Sequence, residues 1–382
     1  MSAIIIRQAT LKDKDALWEF IKNAYEGEEK GLSRFKFPKR WIWQFTENPF
    51  FKETGDKLPI WIALKDDRIV GQICFQPVEV KIGDKIYNAS YGSDMIVSKD
   101  CRGGGIAPKI YRSLYNHTKI HMTVEMSPYT RNMKLEQGSY AINSIYEYWY
   151  FVKMNKDFVI DYSKKRTKRK PKLNRIVTIS SKYFFVNIIF SIVFNLIMKF
   201  LKIFKVNTKK RNNSEIVEIY EFNDEHDDFF NKTYKEYNAI VIRDKTFLNW
   251  RFFGNKQMDY HSFVLKQNGT IKGYIVLRKP DQFEFNIGVI ADIYAAKNDI
   301  GTIKELLCHA IRYFDESVVL IKCYCSLIEY NTLLKKIGFF KIREIKPLIQ
   351  CASSLTKKKL DQITDGWFMT GADQDVDQIQ PK

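Results

Sequence analysis

The chain has no pair-spaced cysteines. Its six, Cys74, Cys101, Cys308, Cys323, Cys325 and Cys351, show no disulfide framework, and its five histidines do not cluster with them. No zinc signature is present, no metal site is expected, and a reducing compartment is expected instead. The N-terminal run Met1–Arg7 is too short for a signal peptide and reads as a first strand. The uncharged run from Tyr183 to Met198 has sixteen residues. As a helix it would reach about 24 Å, short of a ~30 Å hydrocarbon core. Acidic residues are missing from one long window. Between Tyr162 and Ser214 there are fifteen Lys and Arg and no Asp or Glu, which leaves three of the eighteen net positive charges for the rest of the chain. This is a basic insert in a nearly neutral protein, and it argues against nucleic acid as the partner.

Glycine is present in one dense run, and the chain is organised around it. Residues 94–117 read DMIVSKDCRGGGIAPKIYRSLYNH. Met95-Ile96-Val97 suits a strand. Gly103, Gly104 and Gly105 can take positive φ and admit a ligand close to the backbone. Ile106, Ile110 and Leu114 recur on one helical face. A turn of this kind aims free N–H groups and the positive end of a helix dipole at one point, which suits phosphate, and Arg102 adds a cation at its mouth.

At 382 residues the chain is long for one core, and two or three domains are expected. Ile4–Ile6 predicts a strand and Lys12–Tyr25 a helix. The aromatic stretch 33–51 predicts a core helix and loop, with an acceptor-pocket wall as the sharper alternative. Residues 60–64 and 69–80 flank Lys65-Asp66-Asp67-Arg68 as a hairpin, and a second hairpin turns at Gly83-Asp84. A fifth strand is expected at Met122–Met126, and a closing one at Tyr146–Met154. Asn187, Ser191, Asn195, Lys199 and Lys202 line one face of a helix, with Phe184, Phe185, Ile188 and Ile192 opposite. That pattern suits a membrane interface, with burial between domains or a tilted span as alternatives.

From Glu215 the pattern restarts. Trp250-Arg251-Phe252-Phe253-Gly254-Asn255 echoes Trp43-Gln44-Phe45-Thr46-Glu47-Asn48, and Asp292–Lys297 echoes Asp94–Lys99. Such a duplication means two domains. The echo fails at the loop, because Ile300, Gly301 and Thr302 stand where Arg102, Gly103 and Gly104 stand in the first half. Anion binding therefore belongs to the first half.

The order Arg102-Gly103-Gly104-Gly105-Ile106-Ala107 fits R-x-x-G-x-A, and it resembles the pyrophosphate loop of the GCN5-related N-acetyltransferases (GNAT proteins). Asn331–Phe339 resembles the N-x(6)-G-F close of that fold, and Trp367–Asp373 the W-x-x-T-G-x-D tail of tandem-domain members found in bacterial surface-glycan biosynthesis. The resemblance implies an α/β fold with mixed sheets: two tandem GNAT folds, at 1–161 and 215–351, the second degenerate. A basic, amphipathic helical insert at 162–214 joins them, and a tail at 352–382 follows. It implies acetyl-CoA as acyl donor, held by Ile96, Val97, Arg102, Gly103, Gly104, Gly105, Ile106 and Ala107. The acceptor would be a small-molecule or lipid-linked amine, such as an amino sugar of a surface glycan or its precursor. Asp94 and Tyr129 are the catalytic candidates, with Glu125 and Tyr140 also near; the general base is not identified. The insert is expected to dock the protein, otherwise cytoplasmic, on the inner face of an anionic membrane. Two rival readings stand beside this one. The first is a tRNA-dependent aminoacyl transferase similar to the Fem enzymes of peptidoglycan synthesis, and the second a non-catalytic membrane adaptor.

Overall fold

The computed structural model describes residues 3–24, 39–52, 55–117, 120–153, 192–193, 195–200, 202, 206, 211–279, 286–351, 366–374 and 377–378. In chain order the first half contains β1 (Ile5–Thr10), α1 (Lys14–Ala24), β2 (Lys57–Lys65), β3 (Arg68–Ile82), β4 (Lys85–Val97), α2 (Ile106–His117), β5 (Ile120–Thr123), α3 (Pro128–Glu136), β6 (Tyr140–Ala141) and β7 (Ile145–Phe151). The second half contains β8 (Ser214–Ile219), α4 (Asp224–Thr233), β9 (Ala239–Val241), α5 (Lys245–Leu248), β10 (Tyr260–Gln267), β11 (Thr270–Arg278), β12 (Ile287–Ala295), α6 (Ile300–Phe314), β13 (Leu320–Cys325), α7 (Ile328–Ile337) and β14 (Phe340–Ile345). β15 (Leu348–Cys351) and β16 (Trp367–Phe368) follow.

These strands form two mixed sheets. One runs β1-β2-β3-β4-β5-β15-β6, with β9 also paired to β3 and β16 to β9; the other runs β14-β7-β13-β12-β11-β10-β8. The predicted hairpins form. Asp66 and Asp67 close β2–β3, Asn268 and Gly269 close β10–β11, and all four take positive φ, as a tight primed turn requires. The aromatic stretch is partly π-helical. Ile42–Thr46 and its repeat Asn249–Gly254 are both π-turns, and Trp43, Phe45, Trp250 and Phe252 are buried. That agrees with the core reading of this stretch.

The two compact units interleave along the chain. One comprises 1–145, 221–257 and 345–376, the other 146–220, 258–344 and 377–382. β7, expected to close the first sheet, pairs instead with β13 from Phe151↔Leu320 to Tyr146↔Cys325. β15, from the end of the second repeat, pairs with β5 in the first sheet. Each repeat has thus given its late strand to the other sheet. The strand itself is legible from β-branched and aromatic content, but its partner depends on contacts far away in sequence.

In the first unit, two apolar clusters cover the two faces of the sheet hairpin. Leu17, Phe20, Ile21, Trp41, Phe45, Ile60 and Ile62 form one, and Val70, Ile73, Phe75, Ile106, Ile110, Tyr111 and Leu114 the other. The second cluster seats α2 against the sheet. Gly71 makes this possible, since a Cβ there would stand 2.9 Å from Ile110 Cδ1. In the second unit, Trp149 of β7 packs with Ile287, Val289, Val319 and Leu320.

The basic run 164–172 and Phe184, Phe185, Asn187, Ile188 and Ser191 lie outside the described residues. Residues 192–193 and 195–200 are helical. Ile192, Val193, Leu196, Ile197 and Phe200 are all 49–62% exposed, while Met198 is buried and Lys202 pairs with Asp315. Among the described residues no helix is long and apolar enough to cross a membrane.

Candidate functional site

The loop predicted from sequence joins β4 to α2. Gly103 and Gly105 take φ of +86° and +71°, which side chains avoid. Among the described residues no atom lies within 4 Å of where a Cβ would stand on either, so the backbone there is open. Ile106 and Ala107 turn their side chains into the core and leave the first-turn N–H groups of a twelve-residue helix for a ligand. Arg102 is exposed, and its Nε donates to the carbonyl of Val97 at 3.1 Å, which holds the guanidinium at the end of β4. This combination fits a pyrophosphate.

β4 and β5 are parallel and, among the described residues, pair only at Ser90↔His121 and Tyr91↔Met122. Beyond Tyr91, β4 keeps β3 as its partner as far as Val97, across a bulge where Asp94 and Met95 oppose Ile73. β5 diverges, and a wedge opens between the two strands. Gln374, from the tail, fills part of it. Its Oε1 accepts from Val124 N at 2.7 Å and its Nε2 donates to Gly92 O at 3.0 Å, so one side-chain amide replaces the ladder where it stops. The tail is held firmly. Asp373 accepts from Tyr91 OH and from Arg243 Nη2, both at 2.7 Å, and Arg251 donates to the carbonyls of Ala372 and Gln374. Arg243, Arg251 and Asp373 are at most 1% exposed, and the desolvation of the Arg243–Asp373 pair is offset by further bonds from Arg243 to Val241 O at 3.1 Å and Thr370 Oγ1 at 3.3 Å.

A second polar group lies where the wedge begins. Lys134 of α3 is 2% exposed and donates to Thr123 Oγ1, with Nζ 4.7 Å from the centroid of the Tyr111 ring. Burial pushes its pKa down to about 7. His121 is buried beside it, with Nδ1 3.0 Å from Ser90 Oγ and no partner for Nε2 among the described residues. Burial, and then the Lys134 charge, hold His121 well below its usual range.

The catalytic candidates are spread out. Asp94 is half-buried on the bulge at φ +47°, and its carbonyl accepts from Gln72 Nε2 at 3.4 Å. Its repeat, Asp292, is fully buried and bonded by Tyr274 OH at 2.8 Å, a structural role. Tyr129 is 66% exposed on the first turn of α3. Tyr140 OH lies 3.5 Å from Cys351 Sγ, and Glu125 follows the end of β5. Sequence reasoning missed Lys134 and Gln374. A lysine beside Met133, one turn before Gly138, was the only local signal for the first; the second had none.

The second repeat differs physically at the loop. At the start of α6, Asp299 caps Thr302 N at 3.0 Å, and Arg211 reaches Asp299 at 2.9 Å and Glu305 at 3.0 Å. The guanidinium lies where a side chain on Gly301 would stand, with Nη2 1.4 Å from that Cβ position. The helix end that the first repeat leaves open is here closed by a carboxylate and a cation of the chain itself.

Comparison with known proteins agrees with the fold. Residues 5–124 match the acetyltransferase (GNAT) domain family. No curated protein matches. A GCN5-related N-acetyltransferase from Anabaena variabilis is similar in structure, with TM-score 0.60 at 8% identity over 92% of this chain and 73% of that one. A tandem GNAT protein of the clavulanic acid biosynthesis pathway gives 0.54 at 10% identity over 92% and 99%. The N-myristoyltransferase of Saccharomyces cerevisiae, solved with myristoyl-CoA, gives 0.57 at 11% over 91% and 79%. At such identities the likeness is one of fold. Residues 5–124 match the GNAT acetyltransferase domain family, and the mixed α/β fold of the chain resembles that of a tandem GNAT protein.

Proposed function

We propose that this protein is an N-acetyltransferase that moves an acetyl group from acetyl-CoA to an amine acceptor. The observation that carries the reading is the Arg102–Ala107 loop: two positive-φ glycines open to solvent at a helix N-terminus, beside a strand that leaves its neighbour. Backbone N–H groups of 103–107 and the Arg102 guanidinium would hold the pyrophosphate. Amides of β4 near Ile96 and Val97 would polarise the thioester carbonyl. The amine nitrogen bonds to the acetyl carbon, the C–S bond breaks, the nitrogen sheds a proton and the thiolate gains one. The self-closed loop of the second repeat supports one acetyl-CoA per chain.

The acceptor we propose is the amine of an amino sugar, free or lipid-linked, of a surface glycan. Support comes from the nearly neutral charge outside 162–214 and from the exposed apolar helix face at 192–200. With fifteen cations and no acid in the same segment, that face suits the inner, anionic surface of a membrane.

Titration calorimetry tests the donor site. The native protein should bind one acetyl-CoA, and the double variant Gly103→Val/Gly105→Val none, because branched side chains at positive φ would distort the loop and fill the cradle. Unchanged affinity in the variant would overturn the assignment. A product assay over amino sugars, peptides and polyamines then decides the acceptor, and activity confined to the last two refutes the sugar.

A further inference from the structure

We propose that the second repeat is the membrane-docking unit of the protein. Its α6 seats the helix of the insert so that a ridge of Ile192, Val193, Leu196, Ile197 and Phe200 enters an anionic bilayer. The inference rests on the membrane reading above, and adds which repeat carries the helix and which face meets lipid. Residues 192, 193, 195–200, 202 and 206 are helical. Met198, Lys202 and Val206 recur at i, i+4 and i+8, so they share one face; the ridge residues share the opposite one. Met198 and Val206 are buried and Lys202 pairs with Asp315, whereas every ridge residue is exposed. A helix packed on a water-facing surface does the reverse, hiding its apolar stripe and offering lysine to solvent.

The seat is α6. Lys202 pairs with Asp315, the residue after its last turn, and Arg312 Nη1 donates to Val206 O at 3.3 Å. Arg211 reaches Glu305 at 3.0 Å, Thr302 Oγ1 at 3.4 Å and Asp299 at 2.9 Å. These fastenings run antiparallel to α6, from its end to its start. They cover all fifteen of its residues, a length of about 22 Å. Ser214 Oγ then donates to Glu305 at 3.0 Å where β8 begins. The ridge is therefore fixed to a packed element rather than hung from a loose linker. Asp299 and Arg211, which close this helix end against phosphate, are also the last of the fastenings.

Charge selects lipid as the occupant. Lys199 is exposed on the same helix, and the window 162–214 holds fifteen cations and no acid. Anionic headgroups neutralise such a segment, while a second copy would set the same cations against it. A seated helix also meets the bilayer already ordered, which spares the ordering cost of a loose segment.

The test compares two variants of equal net charge on phosphatidylserine/phosphatidylcholine vesicles. Lys202→Glu/Arg211→Glu sets carboxylates against Asp315, Asp299 and Glu305 and should unseat the helix. Lys199→Glu/Lys210→Glu removes the same charge and keeps those fastenings. At high salt, where screening hides the charge change, the first should bind about tenfold more weakly than native protein and the second close to native. In solution, amides at 195–200 should exchange faster in the first variant alone. Equal exchange in the two variants would show that the fastenings do not hold the helix, and equal vesicle binding that the seat does not present it. Either result overturns the seat while membrane docking itself stands. Native protein that ignores the vesicles at low salt overturns both, and a concentration-dependent dimer in sedimentation would then give the ridge to a second copy.

Discussion

Trp43 and Trp250 lie face to face, ring centroids 5.0 Å apart and planes 17° from parallel. Each donates its indole N–H to the other's backbone carbonyl, at 2.7 Å from Trp43 and 3.0 Å from Trp250. They hold the same place in the repeated W-x-F-x-x-N motif, on matching π-turns, and both are buried. The contact is self-complementary, like that between two copies across a two-fold axis. Here it is made inside one compact unit, by two repeats of one chain.

That pairing predicts coupled energetics. Trp43→Phe or Trp250→Phe alone removes one donor and strands a buried carbonyl, costing about 1–3 kcal/mol. The double variant should cost less than the two singles together, with a coupling of about 0.5–3 kcal/mol. Denaturant unfolding of the four proteins measures it, and strict additivity would show that the reciprocal bonds do not act together.

Gln374 predicts a role for the tail in shaping the wedge. Gln374→Ala leaves Val124 N–H and Gly92 C=O without their partner and should lower stability by about 1–3 kcal/mol. Exchange of the Val124 amide should accelerate, and acetyl-CoA affinity should weaken, because β4 and β5 lose the strut that fixes their separation. If exchange at Val124 is as slow as in the native protein, the side-chain bridge is not what protects it.

Acid should weaken the second unit through His309. Burial holds this imidazole down to about 4, against an ordinary 6.5, with Phe263 packed edge-on at 4.5 Å. Between pH 6.5 and 4 the unfolded chain binds a proton that the folded chain refuses, so stability is full above 6.5 and lost as pH falls through that window. His121 acts in the same direction in the first unit. Denaturation midpoints from pH 7.5 to 4.5 should therefore slope less steeply in His309→Gln. An identical slope would locate the acid sensitivity elsewhere.

Membrane docking should need both charge and burial. In flotation with anionic vesicles, the native protein should rise at low salt and partly persist at high salt. A variant with Leu196→Ser and Phe200→Ser, which removes two of the exposed apolar side chains, should be released by salt completely, since screening weakens the cations and nothing else holds it. Native protein that stays with the soluble fraction at low salt contradicts the docking proposal.

The amino-acid sequence by itself determined the local pieces of this protein. Alternating apolar residues set the strands. Asp66-Asp67 and Asn268-Gly269 set the hairpins. A strand, an arginine, three glycines and a helical apolar face set the loop at 102–107, and the duplication showed in W-x-F-x-x-N. Each of these depends on neighbours within a few residues, so pattern alone reveals it. The tertiary structure decided the rest. It sent Ile145–Phe151 to β13 and Leu348–Cys351 to β5. It closed the start of α6 with Arg211, brought Gln374 to the end of the β4–β5 ladder, and buried Lys134 without an acid. Strand partners and burial are set by complementarity between segments far apart in the chain, and a lysine or glutamine reads the same in sequence whether solvent or a protein wall surrounds it.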